Sequence, residues 1–237
     1  MSNASRPVDV EIAGGASRRY SVIWRRNTGK RGWRIHTKLT AAAFSKRWKE
    51  YKQKGFRIID QESYVTGGKR YFAGIWIRNK EKLGWASFRN LTSKQFGDRF
   101  KEYSGKKYLP VDVEAYRAGG KFLYSVIWVQ NKDRLGWAIK RNLPQAQFKK
   151  TFDQMSGKGF RIHRNISYLR GGKREYATSW VKETPRRSWR ARRDMNNTGY
   201  ANVWARYRDA GYRLSGFEAY RTSKGTRYAG VWVENSA

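Results

Sequence analysis

The chain has 237 residues, with 52 lysines and arginines against 18 acidic residues and a formal net charge of +34 at pH 7. Hydrophobic residues make up 39% of the sequence and aromatic residues 16%, more than a disordered basic segment carries, so we expect a folded core. The absence of cysteine excludes disulfides, thiolate metal sites and thiol nucleophiles. No apolar run approaches the about 18 residues that a membrane helix requires.

The positive charge indicates a polyanionic partner. Nucleic acid, acidic polysaccharide, anionic lipid and cell-wall phosphate all satisfy the same electrostatic argument, so charge does not choose among them. The only histidines, His36 and His163, occupy non-equivalent positions in the repeat described below, which argues against a shared metal site. We therefore predict neither a metal nor a cofactor.

A tandem repeat of 52 residues organises the whole sequence. Tryptophans recur at that spacing in two series, and neither series has a gap. The first series is Trp24, Trp76, Trp128, Trp180 and Trp232; the second is Trp33, Trp85, Trp137 and Trp189.

In chain order, residues 1–7 are predicted to be a flexible N-terminus, and a β-hairpin follows. β-branched and aromatic stretches flank a Gly-Gly pair, which favours a tight hairpin turn. The pairs are Gly14-Gly15, Gly67-Gly68, Gly119-Gly120 and Gly171-Gly172, and Ser223-Lys224-Gly225 replaces them in the fifth hairpin. The second strand of each hairpin is apolar on both faces, which predicts a sheet covered on both sides and a buried first tryptophan series.

The second tryptophan series is predicted to lie in a loop between each hairpin and a helix. A cation stands three residues before each of these tryptophans, at Lys30, Lys82, Arg134 and Arg186; four residues after them come Thr37, Arg89, Arg141 and Arg193. Stacked repeats would align these cations into a stripe that tracks a charged polymer. The loop tryptophans are either core between repeats or a surface on which bases stack.

Aromatic residues spaced i, i+4 and i+7, such as Phe44, Trp48 and Tyr51, predict one amphipathic helix per repeat. The predicted helices cover 40–54, 92–105, 144–157 and 196–209. Expected N-caps are Thr40, Thr92 and Asn196 or Asn197, and Pro144 fits a first helical turn. Gly55, Gly159 and Gly211 are typical helix stops.

The predicted fold class is therefore α+β: tandem ββα repeats, with five hairpins and four helices, stacked on one another in an open or a closed array. The units are placed at about 8–55, 56–107, 108–159 and 160–211, with a half-unit at 212–234. Together they form a single repeat domain over 8–237.

Recurrent carboxylates, including Asp9 with Glu11, Asp60 with Glu62 and Asp112 with Glu114, are interpreted as structural ion pairs rather than acid/base pairs. A Ser-x-x-Lys string occurs at Ser104, but no other repeat keeps both residues, so it is interpreted as a chance match. We expect no catalytic residues.

Several of these columns together resemble the bacterial tandem repeat domain family. They are Phe56-Arg57, Glu62-Ser-Tyr64, Gly67-Gly68, Phe72 to Trp76, Trp85, Leu91-Thr92 and Gly159-Phe160-Arg161. The resemblance implies ββα units wound into a right-handed superhelix, as in the repeat region that precedes the catalytic domain of secreted polyglycine hydrolases. It also implies an extracellular setting. The chain departs from the family in its heavy basic load and in the loop before the helix.

The sequence thus favours a non-enzymatic module that binds a polyanion, with nucleic acid the leading ligand. The alternative is a scaffold that binds protein or peptide or associates with itself, either as an accessory repeat domain of a secreted hydrolase or as an engineered repeat protein.

Overall fold

The structure is a computed structural model that describes residues 4–13, 19–184 and 186–235. It confirms the α+β class and the repeated hairpin and helix, with 14 strands and 4 helices among the described residues. The chain divides into two compact units, Met1–Asn131 and Lys132–Ala237. The predicted turn at Gly14-Gly15 lies outside the described residues. None of the described helices is long and apolar enough to cross a membrane.

The first unit holds a hairpin and two repeats. Its elements in chain order are β1 (Ser5–Ala13), β2 (Arg19–Arg26), β3 (Trp33–Leu39), α1 (Ala41–Gln53), β4 (Phe56–Thr66), β5 (Lys69–Arg78), β6 (Trp85–Leu91), α2 (Ser93–Gly105), β7 (Tyr108–Ala118) and β8 (Lys121–Gln130). The predicted flexible start, residues 1–7, overlaps β1, whose first residue is Ser5.

The second unit holds two further repeats. Its elements are β9 (Gly136–Pro144), α3 (Gln145–Gly157), β10 (Arg161–Arg170), β11 (Lys173–Lys182), β12 (Trp189–Met195), α4 (Asn197–Asp209), β13 (Tyr212–Thr222) and β14 (Gly225–Glu234). How successive repeats wind along the array stays a prediction.

A third strand in each repeat was not predicted. The expected loop around the second tryptophan series was wrong, because Trp33, Trp85 and Trp189 begin strands and Trp137 is the second residue of one. These strands share no regular apolar alternation, and a bulge interrupts them, so their pattern is weak. Each strand gains its hydrogen bonds from a hairpin more than 30 residues further along the chain.

Sheet pairing groups the elements as strand, helix and hairpin. In the first repeat, β3 joins the edge of the hairpin that follows α1, which gives the order β3-β5-β4. The later sheets have the orders β6-β8-β7, β9-β11-β10 and β12-β14-β13, whereas β1 and β2 pair alone. The hydrogen-bonded unit therefore begins at the third strand rather than at the hairpin.

A recurring tyrosine secures the bulge that ends each third strand. Lys38, for example, has a φ of 56°, and its N–H leaves the ladder and donates to the Tyr64 hydroxyl at 2.8 Å. The same bond joins Asn90 to Tyr116, Asn142 to Tyr168 and Asp194 to Tyr220, at 2.8 to 3.0 Å. This bond accounts for the recurring tyrosine, because an N–H that leaves the ladder needs another acceptor.

The helices match their predictions to within a residue or two. Thr40, Thr92 and Asn196 cap them as expected, and Thr92 forms a capping box with Gln95. Pro144 instead occupies the N-cap position and makes no side-chain bond. Gly55, Gly159 and Gly211 follow their helices at positive φ, which closes the last turn at little steric cost.

The first tryptophan series forms the core of each repeat, with one exception. Trp76, Trp128, Trp180 and Trp232 are at most 1% exposed; Trp76, for example, packs on Phe44 and Tyr51 of α1. Trp24 was predicted to be buried in the same way, but it is 49% exposed. The hairpin of β1 and β2 lacks the strand and helix that cover the same face in the later repeats, so Trp24 only meets Trp33 edge-on, at 5.4 Å.

Candidate functional site

Three of the predicted cations before the second tryptophans, Lys30, Lys82 and Arg134, lie in turns between repeats. Lys30, Lys82 and Arg134 have φ values of 42°, 50° and 49°, and they are exposed, as is Arg186. An asparagine holds the first two turns. Asn27 bonds both the N–H and the carbonyl of Arg31 through its side chain at 2.9 Å, and Asn79 does the same for Leu83. The turns therefore present these cations from a fixed backbone.

Within the first unit, neighbouring turns touch. The Lys80 ammonium donates to the Gly29 carbonyl at 2.7 Å, and Arg31 pairs with Glu81. The hydrogen bond from Arg31 lowers the pKa of Glu81 to about 2. Lys30 and Lys82 consequently lie on adjacent turns that are connected by a hydrogen bond and an ion pair.

The cations after each second tryptophan are placed differently. Arg89 lies with its guanidinium carbon 4.1 Å from the Phe44 ring centre and 4.5 Å from that of Phe72, and burial lowers its pKa. Arg193 repeats this packing on Phe148 and Tyr176, at 4.4 and 4.9 Å. Arg141 is half-buried at the equivalent position. Arg89 and Arg193 thus join the third strand of one repeat to the aromatic core of the repeat before it.

The second tryptophan series is half-buried within the third strands. Trp85 meets Trp48 of α1 at 5.2 Å between ring centres, and Trp189 meets Phe152 of α3 at 5.5 Å. The Trp48 indole N–H donates to Ser87 in the next repeat at 2.7 Å. Trp85 and Trp189 thus make aromatic contacts between repeats.

The recurrent carboxylates connect adjacent hairpins through backbone bonds. Asp60 accepts from the Val10 N–H at 2.8 Å, and Asp112 accepts from the Gln61 N–H at 3.1 Å. Side-chain oxygens of Glu11, Glu62 and Glu114 lie within 4.8 Å of one another. Burial, and then Glu114 and Glu11, raise the pKa of Glu62 well above its usual range. A protonated Glu62 lowers the repulsion among the three carboxyls, so the cluster by itself does not require a metal.

The residues considered for catalysis have structural contacts. His36 Nε2 lies 2.6 Å from the Tyr51 hydroxyl, and burial lowers the pKa of this histidine. The Ser104 hydroxyl donates to the Lys101 carbonyl at 3.1 Å, within the last turn of α2. His163 lies in β10.

A cavity of about 400 Å³ in the second unit was not predicted. It lies between α3, β12 and the hairpin of β13 and β14, and Glu218 lines it. Glu218 is 5% exposed; one of its oxygens accepts from the Ser167 N–H, and burial raises its pKa to about 8. A buried glutamate that lines a cavity beside apolar side chains makes this cavity a second candidate site. The only sequence signal is that Gly216 stands where the earlier repeats have Asp60, Asp112 and Arg164.

Each repeat consists of a strand, a helix and a hairpin, and successive repeats pack on one another within each compact unit. This is the construction of a tandem-repeat protein. It belongs to the polyglycine hydrolase-like structural repeat family, whose profile matches residues 30–79, 82–131, 134–183 and 186–235. Each match begins at one of the exposed cations, just before the third strand that opens a sheet-paired repeat. The resemblance seen in the sequence is therefore confirmed. Comparison with curated proteins found no match.

Proposed function

We propose that this protein is a non-enzymatic module that binds a polyanion, with nucleic acid favoured, through the exposed turn cations Lys30, Lys82, Arg134 and Arg186. The observation that carries the proposal is the recurrence of an exposed cation on the same turn of every repeat. In the first unit, these turns are also linked directly by the Lys80 and Arg31 contacts. Fixed, regularly spaced cations neutralise phosphates or sulfates at little cost in side-chain ordering.

The packed arginines have a supporting role in this proposal. Arg89 and Arg193 are held on aromatic rings, so they contribute to the positive field rather than reaching a ligand with all their donors. The half-buried side chains of Trp33, Trp85, Trp137 and Trp189 lie close behind the turns in sequence and are the candidate contacts for bases.

Charge reversal with a matched control tests the turn surface. The variant Lys30→Glu/Lys82→Glu changes the net charge by the same amount as Lys69→Glu/Lys121→Glu, whose lysines are equally exposed at the opposite ends of the strands. In mobility-shift titrations on duplex DNA, we expect the turn variant to bind more weakly and its salt slope to fall by about 2. The hairpin-tip variant should keep most of the affinity. Equal losses in both variants would remove the turns from the site.

The identity of the polyanion needs a separate comparison. Single-stranded DNA, duplex DNA and heparin, titrated at about 150 mM salt, separate nucleic-acid binding from general polyanion binding. Quenching of tryptophan fluorescence by single-stranded DNA but not by heparin would support base contacts. Identical affinity and identical quenching with all three ligands would mean that charge alone determines binding.

One observation favours the alternative, a scaffold that binds protein or associates with itself. On β2, Tyr20 is 43% and Trp24 49% exposed, whereas the equivalent Phe72 and Trp76 are at most 2% exposed. An exposed aromatic pair on an open strand suits a protein contact. Sedimentation velocity tests it: a concentration-dependent dimer that Trp24→Ser abolishes would support it, and a monomer at all concentrations would count against self-association.

A further inference from the structure

The hairpin of β1 and β2 has an open sheet edge that is covered in every later hairpin. In each of the four three-stranded sheets, the second hairpin strand lies in the middle, between the first hairpin strand and a third strand. β2 is the counterpart of these central strands, yet among the described strands it pairs only with β1. The other edge of β2 therefore offers its backbone hydrogen-bonding groups to an added strand.

The aromatic face of β2 is open at the same place. Trp128, two repeat lengths after Trp24, is 0% exposed, because Tyr103 of α2 stacks on it at 5.7 Å between ring centres and Phe100 meets it edge-on at 6.3 Å. Trp24 has no such helix over it among the described elements, and it is 49% exposed. The hairpin thus lacks the same two elements on its edge and on its face, a strand and the helix that follows it.

The later sheets provide a template for what occupies this edge. β6 runs antiparallel to β8, with Trp85 opposite Val129 and Leu91 opposite Tyr124. Counted back by two repeat lengths, the same register covers residues 20–25 of β2. An added strand in this register leads into a helix that passes over Trp24, as α2 passes over Trp128 in the template.

Two observations favour a different protein over a second copy of this chain as the occupant. The four third strands of the chain are already hydrogen-bonded within their own sheets. Two β2 strands paired antiparallel along their full length would set Arg19 opposite Arg26 at both ends, and like charges directly opposite are destabilising. The net charge of +34 also favours a neutral or acidic partner over a second basic chain.

We infer that β2 binds a strand-and-helix segment of a partner protein by strand addition, with the helix of that segment over Trp24. The segment has apolar residues at the positions of Trp85 and Leu91 and aromatic residues at those of Phe100 and Tyr103. Backbone hydrogen bonds supply the affinity of such a complex, and the apolar side chains supply its specificity. The inference goes beyond the polyanion proposal, and it rests on and deepens the alternative, a scaffold that binds protein.

A synthetic peptide of residues 85–105 supplies such a segment. It contains β6 and α2, and its four basic residues outnumber its two acidic residues, so attraction between opposite net charges does not account for its binding to this chain. In fluorescence anisotropy of the labelled peptide with the full chain, we expect saturable binding that does not weaken between about 50 and 500 mM salt. A peptide of residues 85–91, which lacks the helix and leaves Trp24 uncovered, should bind at least about tenfold more weakly.

Methylated backbone nitrogens distinguish strand addition from other contacts. In an antiparallel pair, alternate residues of a strand bond to its neighbour, and the residues between them direct their N–H groups to the other side. Methyl groups on one alternate set of nitrogens in the strand of the peptide should weaken binding at least about tenfold, because they remove donors to β2. Methyl groups on the other set should weaken it by less than about threefold. Equal effects of the two sets would overturn strand addition.

A substitution on β2 with a matched control tests the surface itself. Trp24→Ser should weaken binding of the 85–105 peptide at least about tenfold, because the helix then loses its aromatic contact. Trp204→Ser, which removes a tryptophan of α4 that is 40% exposed, should leave the peptide affinity unchanged. Circular dichroism checks that both variants fold. No saturable binding of the peptide, or equal binding by the native chain and Trp24→Ser, would overturn the inference.

The same variants separate this inference from the proposed functions. Peptide binding should persist in Lys30→Glu/Lys82→Glu, and binding of duplex DNA should persist in Trp24→Ser, so either activity can fail without the other. A concentration-dependent dimer of a chain that does not bind the peptide would support self-association and overturn strand addition by a partner.

Discussion

Neutralising Glu218 should make the second unit more stable at high pH. The variant Glu218→Gln keeps a carbonyl oxygen that accepts from the Ser167 N–H and removes the charge that burial opposes. Because the folded-state pKa is raised, the unfolded chain releases its proton at lower pH than the folded chain. The native protein therefore loses stability as the pH rises from 4.5 toward 8.

The size of the effect follows from the two pKa values. Folding moves the pKa of Glu218 from 4.5 to about 8, and each unit of pKa difference corresponds to about 1.4 kcal/mol of unfolding free energy. The cost therefore reaches an upper limit of about 5 kcal/mol above pH 8 and vanishes below pH 4.5. Hydration of the open cavity reduces this cost, so we expect a difference of about 2–5 kcal/mol at pH 8.5.

Urea unfolding followed by tryptophan fluorescence, at pH values from 4 to 9 and constant ionic strength, measures the effect. The variant and the native chain should have similar stability at pH 4, and the variant should be more stable above pH 7. Asp209→Asn, an exposed carboxylate on α4, is the control and should show no such divergence. If the native chain and Glu218→Gln had parallel stability curves over this range, the burial argument would be refuted.

Substitutions at further positions test the core, a cap and an arginine. In urea unfolding, Trp76→Ala should destabilise the protein by about 3–5 kcal/mol and Trp24→Ala by under about 1 kcal/mol, because only Trp76 is fully buried. Equal losses of stability in the two variants would contradict the assigned cores. Thr92→Ala should cost about 1 kcal/mol by the same assay, since it removes one half of a capping box, whereas Thr92→Ser should be near neutral. Arg89→Ala should reduce stability by about 1–3 kcal/mol while changing duplex-DNA affinity less than Lys82→Glu does; the opposite ranking would return Arg89 to the ligand surface.

The helices and the described hairpin turns were predictable because their determinants are local. Phe44, Trp48 and Tyr51 mark a helix face within two turns, and Thr40 caps it from the adjacent position. Gly67 and Gly68 adopt the left-handed conformation that a tight hairpin turn requires, and no distant residue is needed to explain it. The 52-residue period repeats these signals, so each supports the others.

The third strand could not be predicted with the same rules. Trp33–Leu39 contains basic residues and ends in a bulge, and it becomes a strand because β5 offers it a hydrogen-bonding edge. That edge is supplied by residues beyond the intervening helix. The same non-local pairing sets the phase of the repeat, which the period alone leaves open.

The candidate site, like the fold, is partly predictable from the sequence and partly decided by packing. Period and composition establish from the sequence that this is a basic repeat protein with cations before and after the second-series tryptophans, in a region predicted as a loop between hairpin and helix. The packing of the repeats determines which of those cations stay exposed, because Arg89 and Lys82 look alike in sequence but only Arg89 meets aromatic rings of another repeat. Packing likewise exposes Trp24 and opens the cavity beside Gly216, since burial depends on which neighbour covers a residue, and that neighbour lies far away along the chain.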